Sequence, residues 1–174
     1  LSISTSPSNL WDNNAGIYVE GTNGIPGNCT EARNWNQEWY RHAVIEYFGT
    51  DGFRRYRDDA DIRIGGACSR TLPQKSLVVR ARSKYGSNEF DFNFLPNKPF
   101  SKTGGFILRN AGNDFNLTHF RDALQQAAAA SALDVDYLDY RPVAVYLNGE
   151  YWGIMNRSEE HTSELQSLRH LVCR

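Results

Sequence analysis

Residues 61–86, DIRIGGACSRTLPQKSLVVRARSKYG, constrain the fold more than any other stretch of the chain. Ile62 and Ile64 alternate with polar neighbours, and the alternation resumes over residues 76–82, so the run predicts two strands. Gly65-Gly66 breaks the first strand, and Pro73 comes shortly before the second, with Lys75 at its mouth. A glycine pair lets the backbone approach a ligand closely and turns N–H groups toward an anion. With Arg70 and Lys75 adding positive charge, one reading is a phosphate cradle made by Gly65, Gly66, Arg70 and Lys75. The other is a plain β-hairpin with a glycine turn and solvated basic residues, because short glycine motifs recur by chance. Spacing alone leaves both open.

The chain has 174 residues, enough for one domain with a real core, and 40% hydrophobic with 13% aromatic residues argues against disorder. A formal net charge of −1 lends no support to a nucleic-acid or anionic-membrane role, which calls for a concentrated basic surface. No apolar run approaches the roughly 20 residues needed to cross a bilayer. No signal peptide is visible, but the sequence opens on Leu1 rather than Met, so an upstream segment is expected to be missing. Cys29, Cys68 and Cys173 match neither a zinc pattern nor an even disulfide framework. Cys29 and Cys68 either pair in an oxidising compartment or remain small buried hydrophobes.

Residues 1–36 are rich in turn formers and read as a leading segment with one short strand at Gly16-Ile17-Tyr18-Val19. Residues 43–48 read as a strand with Glu46 facing outward. Asp58, Asp59 and Asp61 tempt a metal assignment, yet the glycine and glutamate pattern of a calcium loop is missing, and a solvated loop is expected. EFDFNFL, residues 89–95, sets Phe90, Phe92 and Phe94 on one face, the alternation of a half-buried strand. Residues 106–109 give a short buried strand. The main helix is expected over residues 117–132, capped by Asn116 or Thr118, with Phe120, Leu124 and Ala127/Ala128 on one apolar face. Asn113-Asp114 has two readings, a helix-entrance cap favoured by the helix dipole or a ligand-facing pair. Residues 141–147 and 150–156 predict a hairpin around Asn148-Gly149.

Four blocks in order carry a family resemblance: IRIGGACSR, PQKSLVVRARSKYG, ILRNAGNDFNLTHFRDALQQ (residues 107–126) and YRPVAVYLNGEYWGIMN (residues 140–156). The chain resembles the CotH (spore coat protein H) kinase family, whose members often carry a His before the glycine pair where this chain runs from Ile64 straight to Gly65. The resemblance implies an α+β fold, a mostly antiparallel sheet with one main helix, similar to the N-terminal lobe of an atypical protein kinase and occupying residues 37–156. It implies ATP and Mg2+ as cofactors and phosphate transfer to Ser or Thr of a secreted, surface or spore-coat protein of bacteria. Lys75 would hold phosphates, Arg70 and the Gly65 and Gly66 amides would assist, and Asp122 or Glu46 would orient Lys75, as the lysine–glutamate pair of ordinary kinases does. Arg121 and Asp122 otherwise read as a salt bridge fixing the helix. His119-Phe120-Arg121-Asp122 echoes a kinase catalytic loop but has an extra residue, lies in the predicted helix and lacks the following Asn. The family's metal-binding and catalytic acidic residues lie in a second lobe beyond NGEYWG, so this chain alone is expected to hold no catalytic residue or metal ligand and not to catalyse. The competing class is a non-catalytic surface or coat module binding protein or glycan, with Trp11, Trp35, Trp39 and Tyr40 as stacking faces if exposed.

Past Asn156 the family pattern stops. The segment RSEEHTSELQSLRHLVCR, residues 157–174, matches the translation of a common sequencing adapter over its first eleven residues. It is read as an artefact outside the fold, so His161, Glu164, His170 and Cys173 are not taken as a metal site. The alternative is an ordinary amphipathic helix with Leu165, Leu168 and Val172 on one face.

Overall fold

A mostly antiparallel sheet must protect its edges, and this chain does so by closing the sheet on itself. The computed structural model describes residues 1–95, 97–98, 101–133 and 137–159. In chain order it contains β1 (Ser2–Ser4), α1 (Pro7–Trp11), β2 (Ile25–Gly27), β3 (Thr30–Arg33), β4 (Arg41–Phe48) and β5 (Arg54–Ile64). Then follow β6 (Leu77–Arg80), β7 (Gly105–Arg109), α2 (Arg121–Ala132), β8 (Tyr140–Leu147) and β9 (Glu150–Glu159). Seven strands form a barrel in the order β1-β4-β5-β6-β7-β9-β8, and β2 with β3 forms a separate two-stranded sheet. This is the α+β class expected, mostly antiparallel with one main helix. Closure depends on β1, which pairs antiparallel with β4 (Ile3↔Ile45) and parallel with β8 (Ile3↔Leu147). The first residues therefore belong to the barrel rather than leading up to it.

The inward positions are apolar and follow the period of two that the sequence shows. Ile3, Ile45, Ala60, Ile62, Leu77, Val79, Phe106, Leu108 and Val145 are wholly buried in one core. The Asn148-Gly149 hairpin forms where it was expected, with positive φ at both turn residues, and joins β8 to β9.

Four local expectations change. Residues 16–19 form no strand; Ile17 and Tyr18 are core anchors held by backbone bonds from their N–H groups to Asn9 O and Leu10 O. Residues 89–95 keep the predicted alternation, with Phe90 and Phe94 buried, but Phe90 makes only an isolated bridge to Thr103. Asp58, Asp59 and Asp61 lie inside β5 rather than in a loop, and each meets a protein partner, Tyr56, His42 and Tyr85 respectively. Finally, α2 starts at Arg121, and Phe120 and Leu124 are 49% and 54% exposed while Ala123 is buried. The small side chain of Ala123 lets the helix seat closely, which turns the expected apolar stripe outward.

The α2 entrance is organised by Asp114. Its Oδ1 accepts from the Thr118 N–H at 3.2 Å, and its Oδ2 accepts from the Thr118 hydroxyl at 2.6 Å and the Arg121 N–H at 3.0 Å. Neither Asn116 nor Thr118 caps the helix directly, so the capping expectation holds for Asp114 alone. These bonds, the Thr118 hydroxyl first and the Arg121 amide next, hold the Asp114 carboxyl at a pKa of about 2. A depressed carboxylate contributes stability that is present at neutral pH and lost on acidification through the window from about 4 down to about 2. Hydrogen exchange of the α2 amides should accelerate selectively across that window in wild type, and Asp114→Asn should remove the dependence.

In β9, Arg157 occupies an inward position and is 1% exposed. Its Nη2 donates to Phe94 O, but Nε and Nη1 have no hydrogen-bond partner among the described residues. Burial also pushes its pKa down. An unsatisfied guanidinium among Phe94 and Tyr47 is costly, and a hydrophobic residue there removes the penalty. Arg157→Leu should raise unfolding stability by roughly 1–4 kcal/mol, read as a higher midpoint in denaturant.

Candidate functional site

Lys75 lies two residues ahead of β6, where the chain leaves the 3-10 turn Cys68–Thr71. The residue is 4% exposed. Its Nζ donates to Arg70 O at 2.6 Å and Leu72 O at 3.0 Å. The same atom sits 4.0 Å from the Trp35 ring centroid and 5.5 Å from that of Tyr18. These contacts stabilise a cation through oxygen dipoles and aromatic quadrupoles. No carboxylate lies within ion-pairing distance of Lys75 among the described residues. Burial consequently pulls its pKa down to about 8, opposed weakly by Glu20.

The surroundings lock this lysine in place. Tyr18 is buried, and its hydroxyl accepts from the Lys75 N–H at 2.7 Å and from Trp152 Nε1 at 2.9 Å. Next to it, Gln74 Nε2 donates to Trp152 O at 2.7 Å. Gly153 permits this approach: it has φ +108°, and a Cβ there would lie 2.6 Å from Gln74 Nε2. Asn110, also buried, donates to Gln74 O at 2.7 Å and Ser69 O at 3.2 Å and accepts from Ser76 Oγ at 2.9 Å. The turn, the end of β7 and the bulge in β9 thus meet around one lysine. Tyr18, Trp35, Gln74, Asn110 and Trp152 were missed as neighbours of Lys75. The available signal was an apolar Tyr and a Trp in an otherwise polar leading segment.

The glycine turn has the expected residues but directs them inward. Gly65 donates its N–H to Ser76 O at 2.8 Å, so this amide extends the strand ladder and is not turned to an anion. Gly66 is exposed with φ +93°, and a Cβ there would lie 2.5 Å from Ser69 Oγ. Arg70 Nε donates to Gly66 O at 2.6 Å, and Nη1 to Trp35 O at 3.3 Å and Asn36 O at 3.1 Å. Arg70 Nη2 also lies 3.4 Å from Glu38. Gly66, Arg70 and Lys75 therefore converge, with both cations satisfied by the protein's own oxygens.

Neither proposed carboxylate partner reaches Lys75 here. Glu46 projects from β4 and pairs with Arg54 at 2.7 Å, across the β4–β5 hairpin. Asp122 pairs with Arg109 at 2.6 Å, fastening α2 to β7, while Arg121 pairs with Asp114 at 3.5 Å. The expected Arg121–Asp122 bridge is thus replaced by two bridges to other segments. Among the described residues no group of three or more His, Cys, Asp or Glu side chains gathers as a metal site would require of the protein alone. Trp35 is buried, Trp39 is half-buried against the core, and Tyr40 lies under Arg82 at 4.4 Å. Of the four aromatics considered for sugar stacking only Trp11 is well exposed, at 44%. Cys29 and Cys68 form a disulfide with Cα atoms 5.0 Å apart, which joins the β2–β3 turn to the 3-10 turn beside Lys75.

A barrel that presents a glycine turn and a buried lysine at one end of a strand does not by its fold alone define a function. Comparison with protein families decides the class. The model of the CotH kinase protein family matches residues 62–171, more than half of the chain, and the chain belongs to that family. The match begins at Ile62 in the strand that carries the glycine turn, and it runs beyond Asn156 into the segment read as adapter-derived. Family membership points to a kinase-like function. No curated protein matches the chain. Among the described residues no helix is long and apolar enough to cross a membrane.

The depressed Lys75 pKa has a consequence for stability with a definite sign. Between about pH 8 and pH 10.5 the unfolded chain holds a proton on Lys75 that the folded chain has released, so stability rises with pH over this window. Solvent screening of a partly buried ammonium makes the rise smaller than the full pKa difference implies. Paired denaturant titrations should show this rise in wild type relative to Lys75→Met.

Proposed function

We propose that this chain is the nucleotide-binding part of a CotH-type protein kinase that transfers the terminal phosphate of ATP to Ser or Thr hydroxyls of a secreted, surface or coat protein. The observation that carries the reading is the buried ammonium of Lys75, which follows the glycine turn, has Arg70 beside it and lacks a carboxylate partner among the described residues. A buried unpaired cation is unfavourable for folding alone and favourable for binding a polyanion. Lys75 and Arg70 supply fixed positive charge for phosphate oxygens, and Gly66 keeps the backbone low enough for them to approach. Magnesium supplies charge neutralisation of the transferring phosphate in kinases generally. The residues described here do not form a site for it, and no step is assigned to it. Asp122 and Glu46 as found are structural: Asp122 is held by Arg109, and Glu46 faces Arg57, seven residues along β5 from the Ile64↔Leu77 pair beside Lys75.

The barrel with its flanking helix supports comparison with the N-terminal lobe of an atypical kinase. A secreted or surface location gains support from the Cys29–Cys68 bond, because structural disulfides persist in oxidising compartments. A non-catalytic binding module is the competing outcome, and exposed Trp11, 5.8 Å from Trp152, is the surface feature that favours it.

Binding separates the two. ATP titrated into the protein with and without prior reduction of Cys29–Cys68 should quench tryptophan fluorescence in at least one of the two forms, and in that form Lys75→Met should weaken the binding at least tenfold. Lys102→Ala, at an exposed ion pair with Asp91, should bind as wild type does. Equal affinities for wild type and Lys75→Met would sink the kinase reading and favour the binding module.

A further inference from the structure

Resting on the reading of Lys75 as the phosphate-binding group, we infer that residues 66–72 form a redox-latched cap over Lys75, held shut by the Cys29–Cys68 disulfide. The cap is the backbone that supplies both carbonyl acceptors of Lys75 Nζ, from Arg70 and Leu72. It contributes nothing to the core: no residue of the 3-10 turn Cys68–Thr71 is buried. A segment without buried side chains opens at low free-energy cost unless something else restrains it. Besides Lys75 and the Asn110 amide on Ser69 O at 3.2 Å, two restraints are present, and both run to the same neighbouring stretch. One is the Arg70 guanidinium on the carbonyls of Trp35 and Asn36. The other is covalent, from Cys68 to Cys29 in the turn between β2 and β3. That small sheet is itself fixed to the same stretch, because Asn36 Nδ2 donates to Ile25 O at 2.9 Å and Thr30 Oγ1 at 2.8 Å.

Both cysteines are exposed, so a dithiol reductant has access to the bond. One thiolate of the reductant attacks a cysteine sulfur and displaces the other cysteine as a thiolate, giving a mixed disulfide. The second thiol of the reductant then closes its own disulfide and releases the remaining cysteine. The dithiol loses two electrons and two protons, and the protein gains two thiols. Gly66, with φ +93°, and Pro73 bracket the released turn, so its movement need not disturb β5 or β6. In the latched form the carbonyls compete with phosphate for Nζ; in the open form Nζ faces solvent.

The test is site-resolved acetylation of the full chain between about pH 7 and 11, read by mass spectrometry with and without dithiothreitol, so that each state's rate is expressed per free amine. Lys84 and Lys102, both exposed, serve as internal references. Reduction should raise the Lys75 rate per free amine at least tenfold relative to the references and shift its pH profile towards theirs. Tripolyphosphate should then slow Lys75 labelling in the reduced protein alone. An unchanged Lys75 rate after complete reduction overturns the latch, as does a rise that accompanies amide exchange throughout β5 and β6. The double variant Cys29→Ser/Cys68→Ser should behave as reduced protein without reductant. Faster Lys75 labelling that tripolyphosphate does not slow supports the latch and counts against the phosphate reading. The ATP titration with Lys75→Met judges that reading separately.

Discussion

Among the described residues the ammonium of Lys75 has no counter-charge beside it, and much of the local architecture follows from that constraint. A buried cation needs oxygen ligands to replace water. The carbonyls of Arg70 and Leu72 provide them, which fixes where the turn after β5 must lie. Gly66 is needed to reverse the chain into that position, and the Arg70 guanidinium returns to Gly66 O to hold the reversal. Tyr18 then holds the backbone of Lys75 and the indole of Trp152 with a single hydroxyl. A leading segment that is mostly polar is thereby made part of the wall around one side chain.

The barrel and the turn divide the work. Closure by β1 removes the open edges of the sheet and gives β5, β6 and β7 a fixed register, Ile64↔Leu77↔Leu108. The turn hangs on this frame without core residues, so its position is set by polar and covalent contacts rather than by packing. Rigid strands that present a weakly anchored turn are a common arrangement for ligand sites. The salt bridges of Asp122 and Glu46 belong to the frame. They fix α2 to β7 and β4 to β5, away from the lysine.

Much of this was legible in the residues. Period-two alternation located β4, β6, β7 and the β8–β9 hairpin, and Asn148-Gly149 located the tightest turn, because both signals are local. Barrel closure was not legible: β1 has three residues, and its pairing with β8 joins positions far apart in the chain. The helix face was misread because the Phe120 and Leu124 stripe implies burial, whereas Ala123 makes the close contact. Around Lys75 the cationic residues were visible and their partners were not. Glycine and lysine have recognisable spacing, but the aromatic wall comes from Tyr18 and Trp35, which no short motif ties to Lys75. Two free cations and two free amides were expected; the structure shows the cations bound to carbonyls and one amide in the ladder, since folding satisfies buried donors internally.

Arg157 is where sequence and fold disagree within one residue. Backbone pairing continues through it, Leu108↔Arg157 on one side and Arg141↔Arg157 on the other, because strand hydrogen bonds are indifferent to side-chain type. The side chain is not indifferent. β9 alternates inward at Met155 and then at Arg157, the second a core position beside Phe94 filled by a guanidinium with two unsatisfied nitrogens. Local choice and global fold conflict there and agree at nearly every other inward position, and such conflicts are uncommon in selected sequences outside functional sites. Arg157 is level with the first residue of β6 (Leu77↔Leu108↔Arg157), but its guanidinium lies over Tyr47 and Phe94, whereas the Lys75 ammonium lies over Trp35 and Tyr18. Pairing on both sides, with β7 and with β8, holds the strand in place despite this misfit, and the family model matches on through it to residue 171.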